Sequence, residues 1–552
     1  MARVSPTRLA GGALLLCSWF GAAAAQSNAI PGTDVKLGAL GPTQVFTHQG
    51  TFPNGLISFA VATTSCNVGS VNVPWEAAMD PDHPFIAFMV ARESGGRFVQ
   101  ISDRSYVKHG FFALSNNQCT PCQNPSNGTF LGVGCSDTYS TSNNGDNYWL
   151  GPPDEIDPWL GTWNPVCSHF DAGEPDVGPP NNCNGLRSLT SSQAAALGPV
   201  GHRVQIQDAD LNVPGADFWV AGAYIIEGEP AANRNNNLGS RQLLVSWNGS
   251  TWSTSTSGSL VEGSILQRWS GASVQSATNA FDDGRLWVGS KVTDLGGGLW
   301  RYEYAVHNQD NHRGVGALRV PTAPGALVTN AGFRDVDADA GNDWSAQHIG
   351  NEFVFSTGSD PLNWNTIYNF WFDCDVPPLT GGQVALDQFL GGTGAGAVIV
   401  TADTPGGNVL CLPPTNYCVA KVTSNFCVPN IQHTAGIASL SAAGGFQITT
   451  TQLEPAVSAI DFFGTTGQAG TPFQGGTLCV GSPVWRLQGK FTGGSGSCSG
   501  SIGYTLADLL AHPSGGPLLQ PGSVVDIQTW ARDLGDAFGS SLSNALEFNV
   551  CP

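Results

Sequence analysis

Along "LWRYEYAVHN" apolar and polar positions alternate, with Trp300, Tyr302, Tyr304 and Val306 on one face and Leu299, Arg301, Glu303, Ala305 and His307 on the other. That two-residue period marks a strand with one buried side. The run before it, "RLWVGSKVTDL", leads into Gly296 to Gly298, where glycine tolerates the left-handed backbone of a tight turn, so the two runs predict a hairpin. A second hairpin is predicted in "HPFIAFMVARESGGRFVQIS", turning at Ser94 to Gly96. Further strands are predicted in "ADFWVAGAYIIEG", "RQLLVSWNGSTW", "NEFVFSTG", "NTIYNFWFD" and "GAVIVTAD", whereas "TLADLLAH" is the single short helix candidate. Short apolar runs punctuated by 71 Gly and 35 Pro predict an all-β chain. The expected architecture is a multi-module β-sandwich, Ig-like or jelly-roll-like, with disulfide-stapled loops.

The same punctuation suggests an organisation. Residues 1–25 read as a signal peptide, because "MARVSPTRLAGGALLLCSWFGAAAAQS" carries two early Arg, an apolar run and a small-residue cut site at Ala25. Residues 26–199 form a loop-rich, Cys-containing β region, 200–403 a β-sandwich region, and 404–552 a Cys-rich C-terminal β module beyond the joint "TPGGNVLCLPP". No later stretch approaches the roughly 20 apolar residues needed to span a bilayer. A secreted, extracellular location without a membrane span is therefore the expectation.

Composition narrows the partners. Charged residues make up only 12% and the net charge is -20, so a polyanion would be repelled; nucleic acid and anionic membrane are excluded as partners. Divalent cations and neutral glycans, or another cell-surface component, remain compatible.

Loss of Cys17 with the leader leaves thirteen of the 14 Cys. In an oxidising compartment these predict disulfides, with Cys119, Cys122, Cys135, Cys167 and Cys183 in the N-terminal region and Cys411, Cys418, Cys427, Cys479, Cys498 and Cys551 stapling the C-terminal module within itself. An odd number leaves one over, and Cys374 in "NFWFDCDV" is the expected one; an interchain disulfide through it would make the protein an assembly subunit. "CTPC" at Cys119 to Cys122 also matches a redox dithiol, but Pro125 and Gly128 spoil the helix that would activate it. A zinc site would need Cys119, Cys122, Cys135 and His109 to stay reduced. A stapled loop is the expectation.

Three stretches could carry further chemistry. "FRDVDADAGNDW" sets Asp335, Asp337 and Asp339 at alternate positions, as calcium loops do, although Gly341 falls one place late for an EF-hand and Ala346 stands where its Glu belongs. Calcium binding and a solvated acidic turn both fit, and "QDADLN", with Asp208 and Asp210, is a weaker case. In "NNGDNYWLGPPDEIDPWLGTW", Tyr148, Trp149, Trp159 and Trp163 interleave with Asp146, Asp154, Glu155 and Asp157. Aromatic faces beside carboxylates suit sugar rings and a carboxylate pair suits glycoside hydrolysis, while a loop pinned by buried Trp needs neither. Copper or zinc would require His109, His202, His307 and His312 to converge over long range, and His307 is expected on an exposed face. No G-x-S-x-G elbow is present, and the glycines of "GGTGAGAVIV" run into a strand rather than a helix, so no phosphate cradle forms.

The segments "VKHGFFAL", "LGVGCSDTYS", "HRVQIQDADL", "KVTDLGGGLWRYEYAVHNQDNHR" and "LSNALEFNVCP" resemble a family of large secreted, β-rich bacterial proteins of unassigned activity with a Cys-rich C-terminal module. The resemblance implies export and β structure and brings no catalytic residues. "GVGCSDTY" is faintly similar to a lysyl oxidase segment, but the H-x-H-x-H copper ligands are absent. The expected function is thus that of a secreted extracellular binding, adhesive or surface-associated structural protein, binding glycan or calcium; the alternative is a secreted metal- or carboxylate-dependent hydrolase or oxidase.

Overall fold

The computed structural model describes residues 27–76, 79–110, 112–173, 183–279, 282–337, 339–392, 394–406, 413–434, 436–512, 516–517, 519 and 522–551. The signal-peptide expectation and Cys411 lie outside the described residues. The chain is multi-module and all-β, built from antiparallel sheets. It divides into two compact units, one reaching to about residue 412 and one over Pro413–Val550.

Among the described residues the larger unit is built on four main sheets, besides two short two-stranded ones. The first contains Val35–Gln49, Leu56–Asn67 and Val204–Gln207, with Ser136–Tyr139 beside Leu56–Asn67. The second runs Trp252–Glu262, Leu238–Trp247, Asp217–Ile225, Phe85–Ser94, Val107–His109, Leu150–Gly151, with Arg97–Gln100 paired to Phe85–Ser94. Alternate residues of these strands, such as Phe59, Val61, Phe88, Val90 and Val220, meet in one sandwich core. The third sheet runs Ser273–Thr278, Arg285–Gly296, Leu299–Asn308, Thr366–Cys374, Val328–Arg334. The fourth runs Ser345–Ile349, Glu352–Ser356, Val315–Pro321, Pro378–Gln388, Ala397–Pro405. Tyr302, Tyr304, Phe355, Phe370 and Leu386 fill the core between those two.

The sandwiches are joined through their outer faces. Met89, Ala91, Phe98 and Ala221 of the second sheet pack on Trp269, Trp287, Ala305 and Ile367. Asn369 Nδ2 donates to the Phe98 carbonyl at 2.7 Å, and Ile367 N donates to Gln100 Oε1 at 2.9 Å. The predicted hairpins are present: Arg285–Gly296 pairs with Leu299–Asn308 through three glycines at φ +78°, +67° and +81°, and Ser94 pairs with Arg97. The expected exposure of one face is corrected. His307 and Glu303 are buried, because the face opposite Tyr302 and Tyr304 is covered by the neighbouring sandwich rather than by water.

Composition also placed a boundary at 199/200, which falls within the first sandwich rather than between modules. Asp217–Ile225 pairs with Phe85–Ser94, and Val204–Gln207 pairs with Leu56–Asn67, so strands from both sides of that limit share sheets.

The smaller unit has a sheet ordered Thr415–Tyr417, Ser540–Cys551, Val524–Arg532, Ser458–Gly464, Trp485–Arg486 and a three-stranded sheet of Asn430–His433, Gln447–Leu453 and Gly500–Thr505. Ile431, Ile448, Phe463, Tyr504, Ile527 and Leu546 form its core. The predicted short helix is Leu506–Leu510, started by a capping box between Thr505 and Asp508.

Five disulfides lie among the described residues: Cys66–Cys119, Cys122–Cys135, Cys167–Cys183, Cys418–Cys479 and Cys427–Cys498. Cys119 and Cys122 thus bond to different partners, which removes both the redox-dithiol and the zinc reading of "CTPC". Cys374 is the unpaired cysteine among the described residues and is buried. Its burial corrects the interchain-disulfide idea, since a partner's thiol has no access to it. No helix among the described residues is long and apolar enough to cross a membrane.

Candidate functional site

At the edge of the four-sheet stack, the two acidic stretches singled out in the sequence come together on one cleft. Its volume is about 280 Å³, and its walls include Gln100, Asp103, Gln205, Gln207, Asp210, Arg334, Asp335 and Asp337. The strand Val204–Gln207 explains one wall: Val204 and Ile206 point into the sandwich core, so the alternate residues Gln205 and Gln207 must face outward. Their side-chain amides make no hydrogen bond among the described residues. Asp103 is locked to the same strand, accepting from Gln205 N at 2.7 Å while its own N–H donates to the Gln205 carbonyl. Burial pushes the Asp103 carboxyl up to about 7, with the Gln205 N–H pulling against it.

Asp210 stands between two guanidinium groups, with Arg92 Nη1 at 3.0 Å and Arg334 Nη2 at 3.1 Å from its Oδ1. Arg92 is almost buried, whereas Arg334 is partly exposed at the mouth of the cleft. Asp208, its neighbour, is fully committed inside: its carboxylate takes His48 Nε2 at 2.8 Å, Trp252 Nε1 at 2.9 Å and Gly55 N at 3.0 Å.

The acidic loop that follows Arg334 is a series of turns in which each aspartate accepts from the residue two places on. Asp337 N donates to Asp335 Oδ1 at 3.0 Å, Asp339 N to Asp337 Oδ1 at 2.6 Å, and Gly341 N to Asp339 Oδ1 at 2.9 Å. Asp339 is exposed and closes its own turn. Asp335 is buried, and burial first, then the neighbouring Asp337, Asp360 and Asp343, push its carboxyl up to about 6. Among the described residues no three His, Cys, Asp or Glu side chains already stand in metal-ligand geometry around one point.

The aromatic and acidic stretch is structural over much of its length. Trp159 and Trp163 are buried, so neither offers a face to a ligand. Arg234 covers Trp159 at 4.3 Å, and Trp163 Nε1 donates to the Asp80 carbonyl at 2.8 Å. Asp157 caps the turn at Trp159 and Leu160, Glu155 accepts from His169 N at 2.6 Å, and exposed Asp154 pairs with Arg104. Trp149 is half-buried beside Arg187 and Lys108. Asp146 and Tyr148 reach a second, more open groove of about 550 Å³ with Phe46 and Arg203. There the Tyr148 and Phe46 rings are covered by Arg187 and Arg203 at 3.6 and 4.1 Å, Asp146 accepts from Tyr148 N, and Arg203 donates to the Gly145 and Pro199 carbonyls. With its rings and charges already occupied, this larger groove is a poorer ligand site than the smaller cleft.

His83, His109, His169 and His202 share one aromatic cluster, in which Phe170 touches both His109 and His169 and the His169 and His202 rings lie 5.6 Å apart. His109 Nδ1 lies 2.6 Å from His83 Nε2 in a pocket of Phe85, Trp163 and Phe170, and burial keeps both rings neutral, His83 down at about 3. His202 stacks on Tyr106 at 3.8 Å, His307 Nδ1 meets Ser264 Oγ at 2.8 Å, and His312 is exposed. The expected copper or zinc quartet is not assembled among the described residues.

Asp103, Gln205, Gln207 and Arg334 were not singled out in the sequence as site residues, nor were Asp343 and Asp360. The alternation in "RVQIQD" could have exposed the two glutamines; Asp103 and Asp360 are isolated acids whose place is set by tertiary contact alone. No protein-family model matches the chain, and no curated protein matches it in sequence.

Proposed function

We propose that this protein is an extracellular binding protein, surface-associated or adhesive, whose inter-sandwich cleft takes a neutral, hydroxyl-rich ligand of the glycan class. The carrying observation is the cleft's inventory: two unengaged glutamine amides, carboxyls on Asp103 and Asp335, and the outer nitrogens of Arg334 face one space. Sugars need acceptors and donors at close spacing, and side chains held on sheet edges supply both with little ordering cost. At about 280 Å³ the cleft suits one terminal sugar residue better than a long chain. The five disulfides support export, as does the resemblance to secreted β-rich proteins.

Screening the purified mature chain against immobilised neutral glycans tests this reading. Gln205→Ala/Gln207→Ala should weaken any hit by about tenfold or more, the loss of one or two ligand hydrogen bonds. Absence of binding across the screen, or binding indifferent to that double variant, would refute it.

One observation favours a second reading as a carboxylate-dependent hydrolase: Asp103 holds its proton to about pH 7 in the same cleft as the ion-paired Asp210. Asp103 would then protonate the leaving oxygen while an ionised carboxylate acts as base or nucleophile. Turnover of a bound glycoside that Asp103→Asn abolishes without lowering affinity would select it.

A further inference from the structure

Three acceptor oxygens in the acidic loop have no donor. Asp335 Oδ2, Asp360 Oδ2 and Asn342 Oδ1 are each buried and without a hydrogen-bond partner. Asp335 is only 6% exposed. Its other oxygen takes Asp337 N, just as the other oxygen of Asp360 takes Tyr368 Oη at 2.9 Å. Each fixed carboxylate therefore spends one oxygen on the protein and leaves the second bare. Asn342 joins them, its Nδ2 donating to Asp337 Oδ2 at 3.2 Å.

Charge makes the lack of donors more telling. Beyond the effect of burial, the charges of Asp337 and Asp343 lie close enough to push the carboxyls of Asp335 and Asp360 up, and among the described residues no Lys or Arg forms an ion pair with any of the four. Arg334, the nearest guanidinium in sequence, is turned to Asp210. Buried acceptors without donors, massed with like charge, are what a hard cation relieves.

We propose that Asp335, Asp337, Asn342, Asp343 and Asp360 form a calcium site that ties the acidic loop to the segment before Thr366–Cys374. All five offer oxygen only, which favours calcium over transition metals. Among the described residues no three of these acids already stand as metal ligands; closing needs exposed Asp343 to rotate and Asp337 to give up to the ion its bond from Asp339 N or from Asn342 Nδ2, while Asp335 and Asp360 are held. Asp339, central to the sequence pattern, is outside the set, and Asp360 comes from a distant segment. Nothing in this proposal depends on a sugar occupying the cleft.

Trp344 supplies the readout. Its Nε1 donates to the Asp360 carbonyl at 2.7 Å, so a terbium ion in the site would be excited through that indole. Titration of the full mature chain with terbium should give saturable tryptophan-sensitised emission that calcium displaces, with a calcium dissociation constant of about 10⁻⁴–10⁻³ M, the range of extracellular modules. Trp344→Phe should dim the emission. Asp335→Asn and Asp343→Asn should each weaken calcium by about tenfold or more, and Asp339→Asn by less than about twofold, as the different reach of these carboxylates requires. Asp343 is exposed, so its variant keeps the test valid if Asp335→Asn fails to fold. Emission that calcium cannot displace, or calcium affinity undiminished in Asp343→Asn and Asp335→Asn, would overturn the site.

Discussion

Cys374 shows how one side chain's surroundings settle its chemistry. It ends the strand Thr366–Cys374 with its side chain in the second sandwich core, and burial raises its thiol above the ordinary range. Thiolate is the reactive form, so a buried thiol is inert. In the native protein Cys374 should resist alkylation for as long as the fold holds. Unfolding without reductant should expose a thiol that Cys374→Ala removes; rapid labelling of the native chain at Cys374 would contradict the packing described. Trp159 and Trp163 make the same point. Their carboxylate neighbours suggested a sugar platform, yet the rings are consumed in holding a loop, and the uncommitted polar atoms sit instead on Gln205 and Gln207.

Elements gain their second buried face from one another. Leu299–Asn308 carries one face into the core with Tyr302 and Tyr304 and turns the other to the neighbouring sandwich. At that junction Arg234 Nη1 pairs with Asp310 Oδ2 at 2.9 Å, both side chains nearly buried, while Arg234 also donates to the Trp159 and Glu229 carbonyls. Arg234→Ala leaves Asp310 as a buried charge with less compensation and should cost about 3–5 kcal/mol in denaturant unfolding. Arg234→Met/Asp310→Leu should recover much of that loss, because it removes both charges. A double variant no better than the single one would mean that the carbonyl contacts of Arg234, and not the ion pair, carry the effect.

Across the whole molecule, buried acids and buried histidines act on the pH response in opposite directions. Burial pushes the Glu229 carboxyl up to about 8, Asp103 and Asp461 up to about 7, and Asp137 up to about 6. Each folded value lies above the unfolded one, so the folded state holds protons that the unfolded chain releases. The stabilisation is complete below about pH 4 and is lost as pH rises through 6 to 8, with a slope of up to about 1.4 kcal/mol per pH unit for each group. Below about pH 6.5 the buried histidines His83, His169 and His307, lowered to about 3, oppose this because the unfolded chain takes up their protons. The melting temperature should therefore fall from about pH 7 to about pH 8.5, and the net charge of -20 adds self-repulsion in the same direction. Glu229→Gln should flatten the upper part of that fall: Glu229 accepts from Val35 N and Asn237 Nδ2, and a flip of the Asn237 amide would turn its Oδ1, which lacks a donor, onto the glutamine NH2. An unchanged slope in that variant would show that Glu229 is ionised in the fold throughout.

The all-β class, the two glycine-turned hairpins and the unpaired cysteine were all legible along the chain, since period-two alternation, left-handed glycines and a lone thiol in an apolar run are local signals. Cysteine pairing, the burial of His307, and the sharing of sheets across residue 200 were not, because each depends on which distant strand lies alongside. The same division runs through the sites. "FRDVDADAGNDW" announced its acids but could not reveal that Asp339 would close its own turn, or that Asp360 would arrive to complete the cluster. Local sequence dictates the conformation that each segment prefers and the face that it must hide. Only packing of the four sheets decided which polar atoms were left without partners, and unpaired atoms, more than residue types, are what a ligand can use.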